Sequence, residues 1–260
     1  MKHIFCDLDG TLLLDFKRIE RRDIESLKKA HQAGYHLSIA TGRLDYEIKA
    51  LFEEYDLPGT FRISQNGGII YLDDTLLYAS YFTQEELRQT IAEVKKLPVL
   101  IFVQTADHHL IQRKLPIIKA FEKIQPFVRY DEMPDLYERL DELKVVTVSL
   151  WAKRNENRWM VRRLSERLPT SLVSYISSEY TIDITRRENA KGQAIAWLAE
   201  RFGFKKEDTY VIGDSFNDIS MFEWTHNSFV MEWADEAVRH TAQTVVSSVA
   251  EAVDLILQSG

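Results

Sequence analysis

Short, mostly apolar runs that end in polar or glycine residues recur near both ends of the chain. They lie at 4–6, 36–40 and 209–212. Runs of this kind predict strands that are buried on both faces of a parallel sheet. Apolar residues at helical spacing predict helices at 20–33, 46–55, 190–202 and 249–258. Because strands alternate with helices, the pattern predicts an α/β fold with helices on both faces of the sheet.

The middle of the chain follows a different pattern, in which strands and helices mix but no phosphate-type loop occurs. Strands are predicted at 99–104, 110–113, 144–151, 172–175 and 180–184. Helices are predicted at 84–97, 116–124 and 155–168. We therefore expect an α+β domain, 83–183, inserted into a core domain formed by 1–82 and 184–260.

The composition narrows the class of protein. The chain has 260 residues, 45% of them hydrophobic, and a net charge of −7, which indicates a soluble globular protein and disfavours a nucleic-acid partner. Cys6 is the single cysteine, so no intrachain disulfide can form, which fits the reducing cytoplasm. The start of the chain does not resemble a signal peptide, and no apolar run of roughly 18 residues predicts a membrane span. We expect a cytoplasmic protein with no membrane partner.

Four polar clusters stand out against this framework. They are Asp7-Leu8-Asp9-Gly10-Thr11, Thr41-Gly42-Arg43, Lys191-Gly192, and Gly213-Asp214 with Asn217-Asp218. Three of them directly follow predicted strands, and ligands of open parallel sheets bind at the carboxyl ends of strands. Lys191 stands at a predicted helix start, where a cation opposes the helix dipole. Its position therefore suggests a task other than helix stability.

In this order the clusters resemble the four motifs of the haloacid dehalogenase (HAD) superfamily. The insert resembles the C2-type cap of its Cof-like phosphatases, and Ala40-Thr41-Gly42-Arg43 and Asn66-Gly67 are also similar to that subfamily. The resemblance implies a doubly wound, Rossmann-like core with an inserted α+β cap. It further implies a Mg²⁺-dependent HAD-type phosphatase that removes phosphate from small phosphorylated metabolites such as sugar phosphates.

The chemistry that the resemblance implies is carried by carboxylates. Asp7 is the expected nucleophile, which forms an aspartyl-phosphate, and Asp9 is the expected general acid and base. Mg²⁺, which prefers oxygen ligands, is assigned to Asp7, the backbone carbonyl of Asp9, and Asp214. Asp218 is expected to support the metal shell.

The same resemblance assigns the phosphate oxygens to Thr41, Lys191 and Asn217, with the backbone amide of Gly42 as an addition. Gly10 is expected to permit a tight turn beneath the site. Arg43 has two open interpretations, as an anion contact or as a surface residue in the first turn of a helix.

Other polar groups are interpreted as structural. Asn66-Gly67-Gly68 is expected to form a hairpin turn, with a site role for Asn66 as the minority interpretation. Asp107-His108-His109 is expected to be a solvated loop, because adjacent side chains do not share a face of a strand. Arg186 and Arg187 either meet an anionic substrate or belong to a linker.

Two alternatives to a phosphatase stay open, a phosphomutase on sugar phosphates and a non-catalytic phospholigand-binding protein. The chain departs from the family pattern at Phe229–Trp233 and at Val245–Ser248, which puts a loop near the site in doubt but leaves every expected catalytic position intact. The oligomeric expectation is a monomer or a homodimer.

Overall fold

Two β-sheets organise the chain in the computed structural model, which describes residues 2–14, 18–125, 127–153, 156–178 and 180–259. The strands are β1 (His3–Cys6), β2 (His36–Ala40), β3 (Phe61–Ser64), β4 (Ile69–Leu72), β5 (Thr75–Ala79), β6 (Leu100–Gln104), β7 (His109–Ile111), β8 (Tyr130–Glu132), β9 (Thr147–Trp151), β10 (Leu172–Ile176), β11 (Thr181–Arg186), β12 (Thr209–Gly213), β13 (Ser228–Met231) and β14 (Thr244–Val246). The helices are α1 (Arg21–Gln32), α2 (Asp45–Tyr55), α3 (Gln84–Val94), α4 (Pro116–Ile124), α5 (Asn157–Ser165), α6 (Lys191–Phe202), α7 (Ile219–Trp224), α8 (Glu236–Arg239) and α9 (Val249–Ser259).

The larger sheet has eight strands in the order β14-β13-β12-β1-β2-β3-β4-β5. The strands from β14 to β3 pair in parallel, and β4 then pairs antiparallel to β3. From β1 the chain proceeds to β2 and β3 on one side, and the later strands β12, β13 and β14 fill the other side. This is a doubly wound arrangement, which confirms the predicted fold class.

The strands of this sheet are apolar because both of its faces are covered. Phe5 on β1 packs with Ile195 of α6 and Met221 of α7 on one face. Ile4 and Cys6 point to the other face, where they line a small cavity together with Leu27 of α1. Helices α1 and α9 pack against each other, as do α6 and α7. Burial on both faces explains why the strands lack strict apolar and polar alternation.

The second sheet has six strands in the order β10-β11-β9-β6-β7-β8. It is mixed, since β7 and β8 pair in parallel and the other pairs are antiparallel. Leu87 of α3 and Met160 of α5 pack in one apolar cluster with this sheet, and Ile118 of α4 packs in another with Phe102. The predicted inserted α+β architecture is thereby confirmed.

The chain divides into two compact units, one running through Tyr78 and resuming at Ala190, the other spanning Ala79–Asn189. The domain boundaries expected from the sequence, 82/83 and 183/184, stay predictions. The expected start of the third inserted helix at Asn155 lies outside the described residues, and the helix is described from Asn157. Within the described ranges, no helix is both long enough and apolar enough to cross a membrane.

Candidate active site

The predicted first and fourth motifs meet at the centre of the larger sheet. Asp7 directly follows β1, and Asp214 directly follows the neighbouring parallel strand β12. The backbone amide of Asp7 donates to the carbonyl of Ile212 at 2.9 Å, which fixes the register of the two loops. Because the chain winds away from β1 and β12 in opposite directions, the crevice between them is the place where doubly wound sheets bind ligands.

The loop after β1 turns sharply at Gly10. Gly10 has φ +87°, and a Cβ atom placed on it would lie 2.4 Å from Oδ2 of Asp214. The hydroxyl of Thr11 donates to Oδ1 of Asp214 at 2.7 Å. Glycine is therefore required here both for the left-handed backbone and for the close approach of the Asp214 carboxylate.

Lys191 connects the third motif to the other two. Its ammonium donates to Oδ1 of Asp7 at 2.7 Å and to Oδ1 of Asp218 at 2.6 Å, and the side chain is fully buried. Burial alone would lower the pKa of Lys191, but the carboxylates of Asp218 and Asp7 raise it above its usual value. An ammonium has three hydrogens, so one N–H is left over after these two bonds.

Three carboxylates, those of Asp7, Asp214 and Asp218, form a group that could hold a metal ion, with one oxygen from each lying within 4.8 Å of the others. Burial and the neighbouring Asp218 raise the pKa of Asp7 well above its usual value, although Lys191 opposes the shift. Burial likewise raises the pKa of Asp214 to about 6. When all three are ionised, three carboxylates and one ammonium leave an excess of two negative charges, which fits a hard divalent cation.

Asp218 holds this group together through its second oxygen. Oδ2 accepts hydrogen bonds from the backbone amides of Asp214 at 2.9 Å and of Ser215 at 3.0 Å. With Oδ1 bonded to Lys191, both of its oxygens are engaged by the protein. The geometry therefore fits the predicted supporting role of Asp218 better than direct metal ligation.

Arg43, whose role the sequence left open, forms an ion pair with Asp9. The guanidinium donates from Nε to Oδ2 of Asp9 at 2.7 Å and from Nη2 to Oδ1 at 2.6 Å. Arg43 is only 9% exposed, and its Nη1 also lies 3.8 Å from Glu47. Burial alone would lower the pKa of Arg43. The hydrogen bonds to Asp9 outweigh this effect and raise the pKa above its ordinary value. Arg43 is thus a buried partner of the predicted acid–base residue and not a surface residue.

The predicted phosphate ligands Thr41, Gly42 and Asn217 lie around a turn formed by Gln65–Gly67. The hydroxyl of Thr41 accepts from the amide of Arg43 at 3.3 Å and can still donate its own hydrogen. The side-chain amide of Asn217 donates to Oδ1 of Asn66 at 2.9 Å. The turn joins β3 to β4, as expected of a hairpin, but Asn66 also enters the candidate site.

Several other candidate residues belong to the inserted unit. The expectation of a solvated loop holds for the exposed His108, which contacts Asp131 at 2.7 Å. It is wrong for His109, which is buried at the start of β7 and packs beside Tyr130. Arg186 pairs with Glu86 at 3.4 Å and with Glu188 at 2.8 Å inside the inserted unit.

The segment Phe229–Trp233, where the sequence departs from the family pattern, does touch the candidate site. The indole Nε1 of Trp233 donates to the carbonyl of Gly10 at 2.8 Å. The indole itself is 45% exposed. The atypical segment therefore ends in a contact with the loop of the first motif.

Comparisons with known proteins agree with these observations. A family model described as haloacid dehalogenase-like hydrolase matches residues 4–254, which confirms the resemblance carried by the four motifs. The 5-amino-6-(5-phospho-D-ribitylamino)uracil phosphatase of Bacillus subtilis is 28% identical, with 95% of this chain and 93% of the relative covered. The pyridoxal phosphate phosphatase of Escherichia coli is 27% identical, with 94% and 92% covered. A solved sugar phosphatase of HAD subclass IIB shares the fold, with a TM-score of 0.85, 24% identity, and 100% and 99% covered.

Proposed function

The chain belongs to the haloacid dehalogenase-like hydrolase family as a Cof-like phosphatase, and we propose that it hydrolyses phosphate monoesters of small metabolites through a phosphorylated Asp7. The observation that carries the proposal is the buried ammonium of Lys191 between Asp7 and Asp218, with Asp214 alongside. It combines a carboxylate nucleophile, a fixed positive charge and an excess negative charge suited to a divalent cation. These are the requirements of phosphoryl transfer, which depends on positioning and charge stabilisation.

In the first step, a carboxylate oxygen of Asp7 attacks phosphorus, and the bond to the leaving oxygen breaks. The leaving oxygen takes a proton from Asp9, and the phosphoryl group stays on Asp7. The third N–H of Lys191, the hydroxyl of Thr41 and the amide of Asn217 would donate to the phosphate oxygens. Donors held in place before the reaction stabilise the charge that develops on those oxygens.

In the second step, a water molecule gives a proton to Asp9 and attacks phosphorus. The bond between phosphorus and Asp7 breaks, inorganic phosphate leaves, and Asp9 is protonated again for the next cycle. Asp218 does not react and holds Lys191 and the backbone of the fourth motif in place.

We propose Mg²⁺ as the cofactor, held by the carboxylates of Asp7 and Asp214 and by the backbone carbonyl of Asp9. When bound, it would supply the positive charge that lets an anionic phosphate approach these carboxylates. The substrate of the protein is proposed to be a small phosphorylated metabolite, since the relatives are named for a phosphoribitylamino-uracil and for pyridoxal phosphate.

Activity is tested with p-nitrophenyl phosphate and a panel of phosphorylated metabolites. The purified protein should release inorganic phosphate in the presence of Mg²⁺, and a chelator should stop the release. Asp7→Asn should lower kcat at least about 1,000-fold, because the nucleophile is removed. The matched control Asp254→Asn, at an exposed carboxylate of α9, should keep wild-type activity.

Each alternative has its own signature in this experiment. Full activity of Asp7→Asn contradicts covalent catalysis by Asp7. Isomerised sugar phosphate in place of free phosphate identifies a phosphomutase. Tight binding without turnover across the panel identifies a binding protein.

A further inference from the structure

The turn between β3 and β4 has an unusual backbone. Three consecutive residues are left-handed, with φ +48° at Gln65, +55° at Asn66 and +98° at Gly67. Only glycine adopts this region freely, although asparagine tolerates it better than most residues. Left-handed non-glycine residues persist where the surroundings hold them, and such residues cluster at functional sites.

The surroundings that hold this turn belong to the candidate site. The amide of Asn66 donates to the carbonyl of Thr41 at 2.9 Å, and the amide of Gln65 donates to the carbonyl of Arg43 at 3.0 Å. A Cβ atom on Gly67 would lie 2.6 Å from the carbonyl of Ala190, the residue before Lys191. The turn therefore packs directly against the second and third motifs.

The side chain of Asn66 adds the fourth motif to these contacts. It is 6% exposed, and its Oδ1 accepts from Nδ2 of Asn217 at 2.9 Å. A Cβ atom on Gly42 would lie 3.3 Å from Nδ2 of Asn66, so glycine at position 42 leaves room for this side chain. One asparagine thus lies among three loops that are expected to bind phosphate.

The side-chain amide of Asn217 has one atom that makes no hydrogen bond within the described residues. Its Oδ1 is buried and has no hydrogen-bond partner among the residues that the structure describes. The oxygen and nitrogen of a side-chain amide exchange places by a half-turn, and the surrounding hydrogen bonds decide which orientation is adopted. In the reversed orientation, Asn66 would donate from Nδ2 to Oδ1 of Asn217, and Nδ2 of Asn217 would be the spare group. An N–H can donate to a phosphate oxygen, whereas an amide oxygen would repel it.

We propose that Asn66 is a positioning residue that turns the amide nitrogen of Asn217 toward the substrate phosphate. The inference rests on the proposed function, because it takes Asn217 to be a phosphate ligand. Asn66 suits the task because its own amide can donate to Asn217 Oδ1. A residue that only accepts hydrogen bonds at position 66 would hold Nδ2 of Asn217 and leave its oxygen as the group without a partner.

Two substitutions separate the amide from the backbone. Asn66→Gly removes the side chain and keeps the left-handed turn, since glycine adopts positive φ freely. Asn66→Asp tolerates the same backbone but presents only acceptors. Asp56→Gly is the matched control, because Asp56 has φ +48° at the end of α2 and an exposed side chain. It changes a left-handed residue to glycine outside the candidate site.

The readout is the Kd of inorganic phosphate, measured by calorimetry on the full chain with Mg²⁺, together with kcat and KM for hydrolysis. Asn66→Gly should raise the Kd about tenfold, the scale of a misplaced hydrogen bond to an anion. Asn66→Asp should raise it further, and Asp56→Gly should leave it unchanged. Because Asn66 acts through Asn217, adding Asn66→Gly to Asn217→Ala should cause little further loss.

The outcomes separate this inference from the proposed function. Wild-type phosphate affinity in Asn66→Gly, or losses that add fully in the double variant, overturn the positioning role alone. Failure of the wild-type protein to bind phosphate overturns the proposed function and this inference with it. Thermal unfolding checks that each variant is folded, and Asn66→Asp keeps the test decisive if Asn66→Gly does not fold.

Discussion

Arg43 holds Asp9 by both carboxylate oxygens, at 2.7 and 2.6 Å. A guanidinium and a carboxylate that pair in this way fix each other in plane as well as in distance. The side chain of Asp9 is 30% exposed, whereas that of Arg43 is 9% exposed. The orientation of the proposed acid–base residue is therefore set from the protein interior.

Substitution of Arg43 should affect substrates according to their leaving groups. Arg43→Lys replaces the bidentate hydrogen bonding of the guanidinium with a single ammonium group, and Arg43→Gln removes the positive charge. Both should lower kcat for alkyl phosphates about 10- to 100-fold more than for p-nitrophenyl phosphate, because only the alkyl leaving group needs a proton from Asp9. Steady-state kinetics on the two substrates measures the ratio, with Arg88→Gln, an exposed pair with Asp141, as the control. Equal losses on both substrates would show that Arg43 has only a structural role.

Gly10 and Gly34 offer a matched pair of substitutions. Their φ values are +87° and +90°, so alanine costs a similar backbone strain of about 1–2 kcal/mol at either position. At Gly10 the new Cβ would also lie 2.4 Å from the Asp214 carboxylate, whereas a Cβ on Gly34 would have no atom of the described residues within 4 Å. Gly10→Ala should lower kcat/KM at least about 100-fold and weaken Mg²⁺ binding, while Gly34→Ala should lower only the Tm. Similar kinetics in the two variants would contradict the role of Gly10.

The stabilisation of the protein by Mg²⁺ should depend on pH, because the carboxylates proposed to bind the metal also bind protons. The pKa of Asp214 is raised to about 6, so the metal-free folded state holds a proton that the unfolded state releases near pH 4. The contribution of Asp214 to metal-free stability should therefore fall as the pH rises from about 4 to about 6. Mg²⁺ needs the deprotonated carboxylates, so the increase in Tm on adding it should be large near pH 7.5 and small near pH 5. Calorimetric scans with and without Mg²⁺ at the two pH values measure this increase in Tm. An equal increase at both pH values would contradict the proposed ligand set.

His3 should make the protein sensitive to acid. Its ring is 3% exposed and stacks on Phe204 at 4.1 Å, and neither ring nitrogen has a hydrogen-bond partner within the described ranges. Burial, with a smaller contribution from His36, lowers the pKa of His3 to about 4. The unfolded state binds the proton first, so the contribution of His3 to stability should be lost as the pH falls from about 6.5 to about 4, by up to about 1.4 kcal/mol per pH unit.

Substitution tests this sensitivity. His3→Phe removes the titrating group and keeps a ring in the stack, so it should raise the Tm near pH 5 relative to its change near pH 7.5. The exposed His226→Phe should change the Tm by a similar amount at both pH values. A pH-independent effect of His3→Phe would mean that its protonation does not limit stability.

Much of this architecture could be predicted because the strands of a parallel sheet are apolar throughout. Runs such as Ile4–Cys6 and Thr209–Ile212 are conspicuous in the sequence, and the polar residues that follow them must lie at one sheet edge. The sequence therefore predicted that Asp7 and Asp214 lie at the same edge of the sheet, and the structure places them there. The roles of these residues in catalysis stay predictions.

The side-chain partnerships within the site could not be predicted in the same way. Arg43 and Asp9 lie on different loops, and Asn66 and Asn217 are 151 residues apart. Each of these residues has an ordinary local explanation, as a turn, a cap or a surface charge. Which explanation holds depends on tertiary contacts that no local pattern encodes. The local signal at Asn66-Gly67-Gly68 predicted a hairpin turn, but not which residues the side chain of Asn66 would contact.

The position of β1 has a consequence for how the protein is synthesised. β1 is made first, yet its parallel neighbour β12 leaves the ribosome only after the whole inserted unit has been translated. Until then one edge of β1 has no strand to pair with, and open edges of this kind promote aggregation. A nascent chain that stops before Lys191 lacks the ammonium and the fourth-motif carboxylates. The candidate site can therefore be completed only after the inserted unit has been made, and a chain that stops before Lys191 is released without it.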